Sequence, residues 1–550
     1  MTAASATLRT RWQRFKTRRW TAACCVSDSA VSEASAWGRH AAPTVTACPR
    51  CRRRPVTALP PPPVSRRLAP LVPLLSVLLL GGCMVGPDYV RPAPPAAAQQ
   101  PFEEADSRWT PAAPAAADPA VAWWTRYGDP QLDALVEQAD SANQTLRQAE
   151  ARYRQAQALV GSARAAEAPT LGVQAAATRE RSVTPKPGLR DADTLGFSAS
   201  WEPDFWGKVR RSIEQAGDNA QASAADLAQA RLSLQAAVVA DYLQLRFDDQ
   251  TLALYQRTLA GYRDALRLTQ ARVRAGVASD ADVAAAEATL HSTEAASTDL
   301  ALSRRQLDHA LAVLLGRTPS EFSLAASDAP LPALPPTPEA LPSVLLQRRP
   351  DIAGAERRMA AANAGIGIAV AAWFPTLSLS ASGGYDGAGL ASLLSVPNRV
   401  WAVGAALAGT LFDGGARHAQ RAQAQAVFDA AAASYRQTVL SAFQGVEDQL
   451  AATRELAHEQ QQQRSAADAA QQAERVLMDQ YRAGTALYST VITAQANALD
   501  AQRTLLQVQA RQFGAQVALL VALGGDWDSA RLPAVRGASP GATPAPVLPE

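Results

Sequence analysis

Two periodicities alternate along the chain, and the alternation runs twice. From Pro130 to Ala168 the apolar residues Leu132, Leu135, Val136, Ala139 and Leu146 recur at helical spacing, behind a proline suited to a first helical turn. The spacing predicts one helix over that stretch. From Leu171 the period becomes two. Leu171, Val173, Ala175 and Ala177 alternate with smaller or polar residues. After the turn-forming run Thr184-Pro185-Lys186-Pro187-Gly188, the residues Leu195, Phe197, Ala199 and Trp201 alternate with Gly196, Ser198 and Ser200. The pattern returns in Leu377, Leu379 and Ala381, then in Trp401, Val403, Ala405 and Leu407. Each run is about ten residues long, enough for a tilted strand to cross a bilayer.

Behind each strand pair stands a proline-free stretch of 68 residues, Lys208 to Ala275 and Ala416 to Ala483, rich in Ala, Gln, Leu and Arg. As continuous helix, each would run roughly 100 Å at about 1.5 Å per residue. A rod of that length needs neighbours, and its Ala and Gln positions allow close approach without a strict heptad. Ala275-Gly276 and Ala483-Gly484 end the rods in turns, and return helices are expected over Asp282–Leu315 and Thr490–Leu523.

The two halves are one unit written twice. Ala149, Glu150 and Arg152 align with Ala355, Glu356 and Arg358, and Pro169-Thr170-Leu171 aligns with Pro375-Thr376-Leu377, both at an offset of 206 residues. Phe205 and Gly207 align with Phe412 and Gly414 at 207; Arg274-Ala275-Gly276 aligns with Arg482-Ala483-Gly484 at 208. The reading is therefore repeat 1 over 123–328, a Pro-rich connector over 329–342, repeat 2 over 343–527 and a tail over 528–550.

Composition adds the address. The formal charge of +3 conceals an asymmetry, because residues 1–82 hold 13 of the 53 Lys and Arg but only Asp28 and Glu33 among the 50 acids. The rest carries 40 positive and 48 negative groups, a net −8, with no basic stripe to suggest a nucleic acid. All five cysteines lie at or before Cys83, so the body holds neither disulfides nor a thiolate metal site. Cys48 and Cys51 have no second ligand pair at zinc-site spacing.

Arg66 and Arg67 precede the apolar run Leu68–Leu80, which ends in Gly81-Gly82-Cys83, the order of a secretory signal. Thirteen residues with two prolines are too few for a membrane helix. The ending resembles a lipobox, which implies a lipid on Cys83, a linker over 83–122 and, with Met84 next in the chain, an outer-membrane address. Residues 1–63 fit no part of that scheme. They are read as an extension ahead of a misplaced start, with 64–82 as the signal peptide and Val64 as its first residue.

Four strands cannot ring a pore, and open edges in lipid leave backbone groups unsatisfied at several kilocalories per mole each. If the strands are membranous, other copies must close them. Two copies give eight strands and a filled interior; three give twelve and a lumen. Gly196, Ser198, Ser200, Gly404 and Ala406 suit a water-facing side, although strands of a soluble sandwich alternate similarly.

The chain resembles TolC-like outer-membrane factors, in particular the OprM-like lipoproteins of resistance-nodulation-division efflux systems. The resemblance covers about residues 83–527. It rests on Cys83-Met84-Val85-Gly86-Pro87-Asp88-Tyr89, Trp123-Trp124, Gly128-Asp129-Pro130-Gln131-Leu132, Arg348-Arg349-Pro350-Asp351-Ile352, Phe374-Pro375-Thr376-Leu377 and Leu411-Phe412-Asp413-Gly414-Gly415.

The resemblance implies a mainly α fold with a β membrane part: a homotrimer with a twelve-stranded barrel in the outer membrane and a helical barrel in the periplasm. It implies a passive exit duct for small molecules, joined to a periplasmic adaptor (membrane fusion protein) and an inner-membrane proton-driven pump. Adaptor contact then falls on Gly276, Val277, Ala278 and Ser279 and on Gly484, Thr485, Ala486 and Leu487. Relatives close that end with a tyrosine, matched by Tyr481, and a ring of aspartates, whose positions fall here on Thr490 and Thr493. A threonine ring implies weak charge selectivity.

The competing readings are the outer component of a protein secretion system and a coiled-coil adaptor or structural lipoprotein. The lipobox disfavours the first and the two complete copies disfavour the second. His291, His309, His418 and His458 are scattered without a partnering Cys or paired acid, and no phosphate-binding loop occurs, so neither an enzyme nor a cofactor beyond the lipid is expected.

Overall fold

The computed structural model describes residues 84–92, 102–103, 122–182, 188–327, 329–335, 348–389 and 391–535. A 3-10 turn, Trp123–Tyr127, leads into helices α1 (Pro130–Ala142) and α2 (Gln144–Ala165). Strands β1 (Thr170–Ser182) and β2 (Gly188–Trp201) come next, then the long helix α3 (Lys208–Arg274) and its return α4 (Asp280–Leu314). The second copy runs α5 (Pro350–Ala371), β3 (Thr376–Gly387), β4 (Arg399–Ala408), α6 (Ala416–Arg482) and α7 (Tyr488–Ala522). Both long helices have 67 residues.

The single helix expected from Pro130 to Ala168 is two helices. Asn143 interrupts it with extended backbone; its side chain accepts from the Leu146 N–H at 2.9 Å while its Nδ2 donates to the Leu314 carbonyl at 2.9 Å. An asparagine can cap the new helix and satisfy the last turn of α4 together, which outweighs helical continuity at one residue. Its effect is to set α2 end to end with α4. Arg349 does the equivalent in copy two, donating to the Ala522 carbonyl at 2.7 Å and so setting α5 on the end of α7.

The helices lie side by side in a fixed order. α3 packs on α2 and α4 on one flank and on α5 and α7 on the other, and α6 packs on α5 and α7. The largest apolar cluster gathers Trp123, Tyr127, Leu132 and Val136 over Val239, Tyr242 and Leu311, with Phe513 and Val517 from α7. It sits midway along α3.

The strands form one antiparallel sheet in the order β1-β2-β3-β4, so each strand continues the order of the helices joined to it. Register separates the side chains cleanly. Leu171 lies opposite Ala199, Phe197 opposite Gly383, Ala381 opposite Val403 and Leu379 opposite Ala405, placing the apolar residues on one face. Gly172 opposite Ser198, Ser198 opposite Ser382 and Ser380 opposite Gly404 make the other face small and polar.

On the apolar face Leu171, Val173, Phe197, Trp401, Val403 and Leu407 are exposed. The same face turns charged near the β1–β2 turn, where Arg179 pairs with Asp191 at 3.2 Å. Gly384, opposite Gly196, has no room for a side chain, because a Cβ there would overlap the Leu195 carbonyl. Among the described residues, β1 and β4 pair on one edge only.

At the junction of sheet and helices the chain is held by buried charge. Arg211, fully buried on α3, donates to Asp88 at 2.7 Å and Glu214 at 2.8 Å. Arg357, fully buried on α5, reaches Glu356 and Asp218 and lies under the Tyr89 ring. The Tyr89 hydroxyl donates to Glu356 at 2.5 Å, Asn363 donates to the Pro87 carbonyl at 3.0 Å, and the Val85 N–H donates to the Trp206 carbonyl at 3.1 Å. Residues 84–92 thus form a strap across the heads of α3 and α5. Cys83 itself, with the expected signal over 64–82 and extension over 1–63, lies outside the described residues.

Candidate functional site at the hairpin ends

The ends of the α3–α4 and α6–α7 hairpins farthest from the sheet are built by the same backbone device. The Val277 N–H donates to the Arg272 carbonyl and the Gly276 N–H to the Val273 carbonyl, both at 2.9 Å; Thr485 and Gly484 repeat this with Gln480 and Tyr481. Such an ending needs a left-handed residue, and Gly276 at φ 72° and Gly484 at φ 79° supply it. The two return helices start differently. Ser279 and Asp282 cap α4 reciprocally, whereas α7 starts at Leu487 without a side-chain cap. Val277 and Leu487 project into solvent at 63% and 74% exposure. Gly276, Ser279, Gly484 and Thr485 are exposed, and Ala278 and Ala486 half-buried.

One turn above, the two hairpins are joined. Tyr481 is buried at 2% exposure in a cluster with Ala265, Ala286, Tyr488 and Val491. Its ring lies 5.2 Å from that of Tyr488, and its hydroxyl shares a hydrogen bond of 3.1 Å with Thr269 on α3. Arg272, also on α3, holds it twice: the guanidinium stands 4.5 Å over the Tyr481 ring and donates to the Tyr481 carbonyl at 2.5 Å. That carbonyl also accepts from the Gly484 N–H, so Arg272 of the first copy grips the turn of the second. Burial pushes the Tyr488 hydroxyl up to about 12, and it also raises the Glu474 carboxyl, about two turns up α6 from Tyr481.

Thr490 and Thr493 do not join this cluster. Both are exposed on α7, with their hydroxyls turned to their own helix: Thr490 donates to the Leu487 carbonyl at 2.7 Å and Thr493 to the Ser489 carbonyl at 3.0 Å. Sequence reasoning found Tyr481 but missed Arg272 and Thr269. A signal existed, since at the 208-residue offset Arg272 faces Gln480 and Val273 faces Tyr481. The latch lies where the copies differ in chemistry, while alignment draws attention to where they agree.

The heads of the long helices show a second exchange. Arg210 takes Asp204 through its N–H at 2.9 Å, and Arg417 takes Asp413 through its Nε at 2.5 Å. The arginines correspond, but one aspartate precedes its phenylalanine and the other comes after it.

Two blocks of this chain, residues 135–317 and 341–525, match the family model described as outer membrane efflux protein. The chain belongs to the outer membrane efflux protein family. The blocks coincide with the two structural copies, and the outer membrane is where this family resides. Among its members, a probable efflux pump outer membrane protein of Pseudomonas putida, SepC, is 32% identical over 464 residues, covering 82% of this chain and 95% of that one. The pyoverdine export outer membrane protein OpmQ of Pseudomonas aeruginosa is 33% identical over 424 residues, 74% of this chain and 88% of that one. The solved outer-membrane channel OprN superimposes with a TM-score of 0.72 at 32% identity, over 80% of this chain and 99% of its own. The open state of the MtrE outer membrane channel of Neisseria gonorrhoeae gives 0.70 at 28% identity, over 81% and 98%. OprN and MtrE are outer-membrane channels, and SepC and OpmQ are named as outer membrane proteins of efflux and export.

Proposed function

We propose that three copies of this chain form a passive duct through the outer membrane, the exit of a tripartite pump for small molecules. The observation that carries this is the four-stranded sheet with one apolar face, one face of small hydroxyls and glycines, and two unpaired edges. In hydrocarbon those edges require partners, and twelve strands leave a lumen lined by the polar face. The helices carry the duct onward, since α2, α4 and α6 present apolar residues such as Leu159, Leu302 and Leu440 to the flanks where further copies would pack.

The hairpin ends receive the adaptor, with Gly276 to Ser279 and Gly484 to Leu487 as its contacts, and the adaptor links them to an inner-membrane proton-driven pump. Tyr481, held by Arg272, keeps this end closed in the resting duct. Thr490 and Thr493 line the constriction without charge, so selectivity between cations and anions there is weak; a strong cation block relieved by Thr493→Ala would contradict it. Cys83 carries the lipid, and the strap directly after it brings Met84 against Gly207 at the base of the sheet. Relatives named for toluene, solvent, antibiotic and pyoverdine export support small molecules as cargo, with the inner pump choosing among them.

Sedimentation of the detergent-purified chain, combined with planar-bilayer recording, tests the proposal. A trimer that conducts is expected; a monomer that conducts nothing overturns it.

A further inference from the structure

We infer the register of the seam that joins one copy to the next: β4 of one copy pairs antiparallel with β1 of a second copy, Trp401 opposite Arg181 through Gly409 opposite Val173. The inference rests on the trimeric duct proposed above and adds what that reading leaves open, namely which residues meet.

The chain contains a template for this seam. β2 and β3 belong to different copies of the repeat, yet they pair over nine positions, from Asp193 opposite Gly387 to Trp201 opposite Leu379. That interface joins the second strand of one repeat to the first strand of the next, which is also the relation of β4 to β1 across a molecular boundary. The match of Pro169-Thr170-Leu171 with Pro375-Thr376-Leu377 and the two ladders together set the offsets. Thr170 lies opposite Ser200 in copy one and Thr376 opposite Ala408 in copy two, so β1 maps onto β3 at 206 residues and β2 onto β4 at 208. Both offsets are even and preserve the faces. Carried through them, the nine β2–β3 pairs become Trp401–Arg181 to Gly409–Val173, eight of them wholly within β4 and β1.

Side-chain chemistry agrees. On the polar face Gly404 meets Thr178, Ala406 meets Ala176 and Ala408 meets Gln174; on the other face Ala405 meets Ala177 and Leu407 meets Ala175, while Val403 meets Arg179 and Trp401 meets Arg181 toward the end where Arg179 pairs with Asp191. No like charges stand opposite one another. A slip of one residue would turn every apolar side chain of β1 toward the water-filled side. Slips of two keep the faces, so between those and the stated register the β2–β3 template decides.

Cysteine cross-linking of the full chain in native membranes tests the register, because no cysteine lies beyond Cys83. The double variant A176C/A406C places both thiols on the water-facing side. Copper phenanthroline, or an ethane-bridged bis-methanethiosulfonate, should convert most of it to covalent trimer on non-reducing gels. T178C/G404C should behave alike. The two-residue mismatches Q174C/A406C and T178C/A406C should link at least tenfold less, and the parent chain not at all. Under reducing conditions all variants should give the parent's yield of trimer. A mismatched pair linking best, or no pair linking in a chain that still sediments as a trimer, overturns the register alone. A chain that links nowhere and sediments as a monomer overturns the duct beneath it.

Discussion

In the proposed duct, replacing Arg272 by alanine should open the end that Tyr481 closes, and the geometry sets the scale. The guanidinium makes a charge-assisted hydrogen bond to the Tyr481 carbonyl and covers the Tyr481 ring. A hydrogen bond from a charged group contributes about 1.5–3 kcal/mol and a partly desolvated cation–π contact about 0.5–2 kcal/mol. The two are not additive, because one side chain makes both. Arg272 Nε is also buried without a partner, and deleting it removes a penalty of about 1 kcal/mol. The net is on the order of 2 kcal/mol per copy. If the three ends open together, about 6 kcal/mol moves the closed-to-open ratio by roughly four orders of magnitude; if each opens alone, the ratio moves roughly 30-fold. Planar-bilayer recording reads the difference directly, as time spent in the high-conductance level at low voltage. Lysine at 272 keeps the charge but not the planar stack and should fall between. Tyr481→Phe keeps ring and carbonyl, loses the contact with Thr269 worth about 1 kcal/mol per copy, and should shift the ratio roughly fivefold if each end opens alone or roughly 150-fold if the three open together. Records of R272A that superimpose on those of the parent, from trimers equally abundant, would refute the latch.

Other parts of the fold support four further outcomes. Gly484→Leu should reduce drug export while leaving trimer yield unchanged, since the left-handed turn costs an L residue only about 1–2 kcal/mol while the side chain would stand in the proposed adaptor contact; unchanged resistance in cells would count against the contact. Asp413, held down to about 2 by Arg417 and the Gly415 and Arg417 N–H groups, stabilises the head of α6 fully above the usual carboxylate value of 3.8 and loses that effect as pH falls through about 2. D413N should therefore lower the melting temperature at pH 6 but progressively less between pH 4 and pH 2; a constant difference would refute the assignment. Asn143→Ala should cost about 1 kcal/mol in urea unfolding, for the lost cap. Arg357→Ala should cost about 3–5 kcal/mol by removing the cation that Asp218 and Glu356 share in the interior, seen as a large loss of folded protein.

Much of this was legible in one dimension because it depends on period and parity. Whether Leu171 and Trp401 share a face is settled by counting residues along a strand, and the ladders place both on the apolar side. The long helices, too, can be read from unbroken stretches that stop at a glycine. What escaped depends on partners distant in the chain. Nothing around Asn143 signals that its amide meets the carbonyl of Leu314, 171 residues away, and without that contact the pattern reads as one helix. Arg211 and Arg357 look like surface residues of amphipathic helices. They are fully buried because the strap at 84–92 and α5 close over them, bringing Asp88, Glu356 and Asp218 to neutralise them.

By itself, the sequence determined the repeat, the identity of each element and the side of the sheet each residue occupies, because these depend on local stereochemistry and the spacing of apolar groups. Tertiary structure alone decided which copy's arginine grips which copy's tyrosine, where the first helix breaks and which strand edges remain open. Those outcomes turn on single hydrogen bonds and charges between segments remote in the chain, and composition and period carry no record of such encounters.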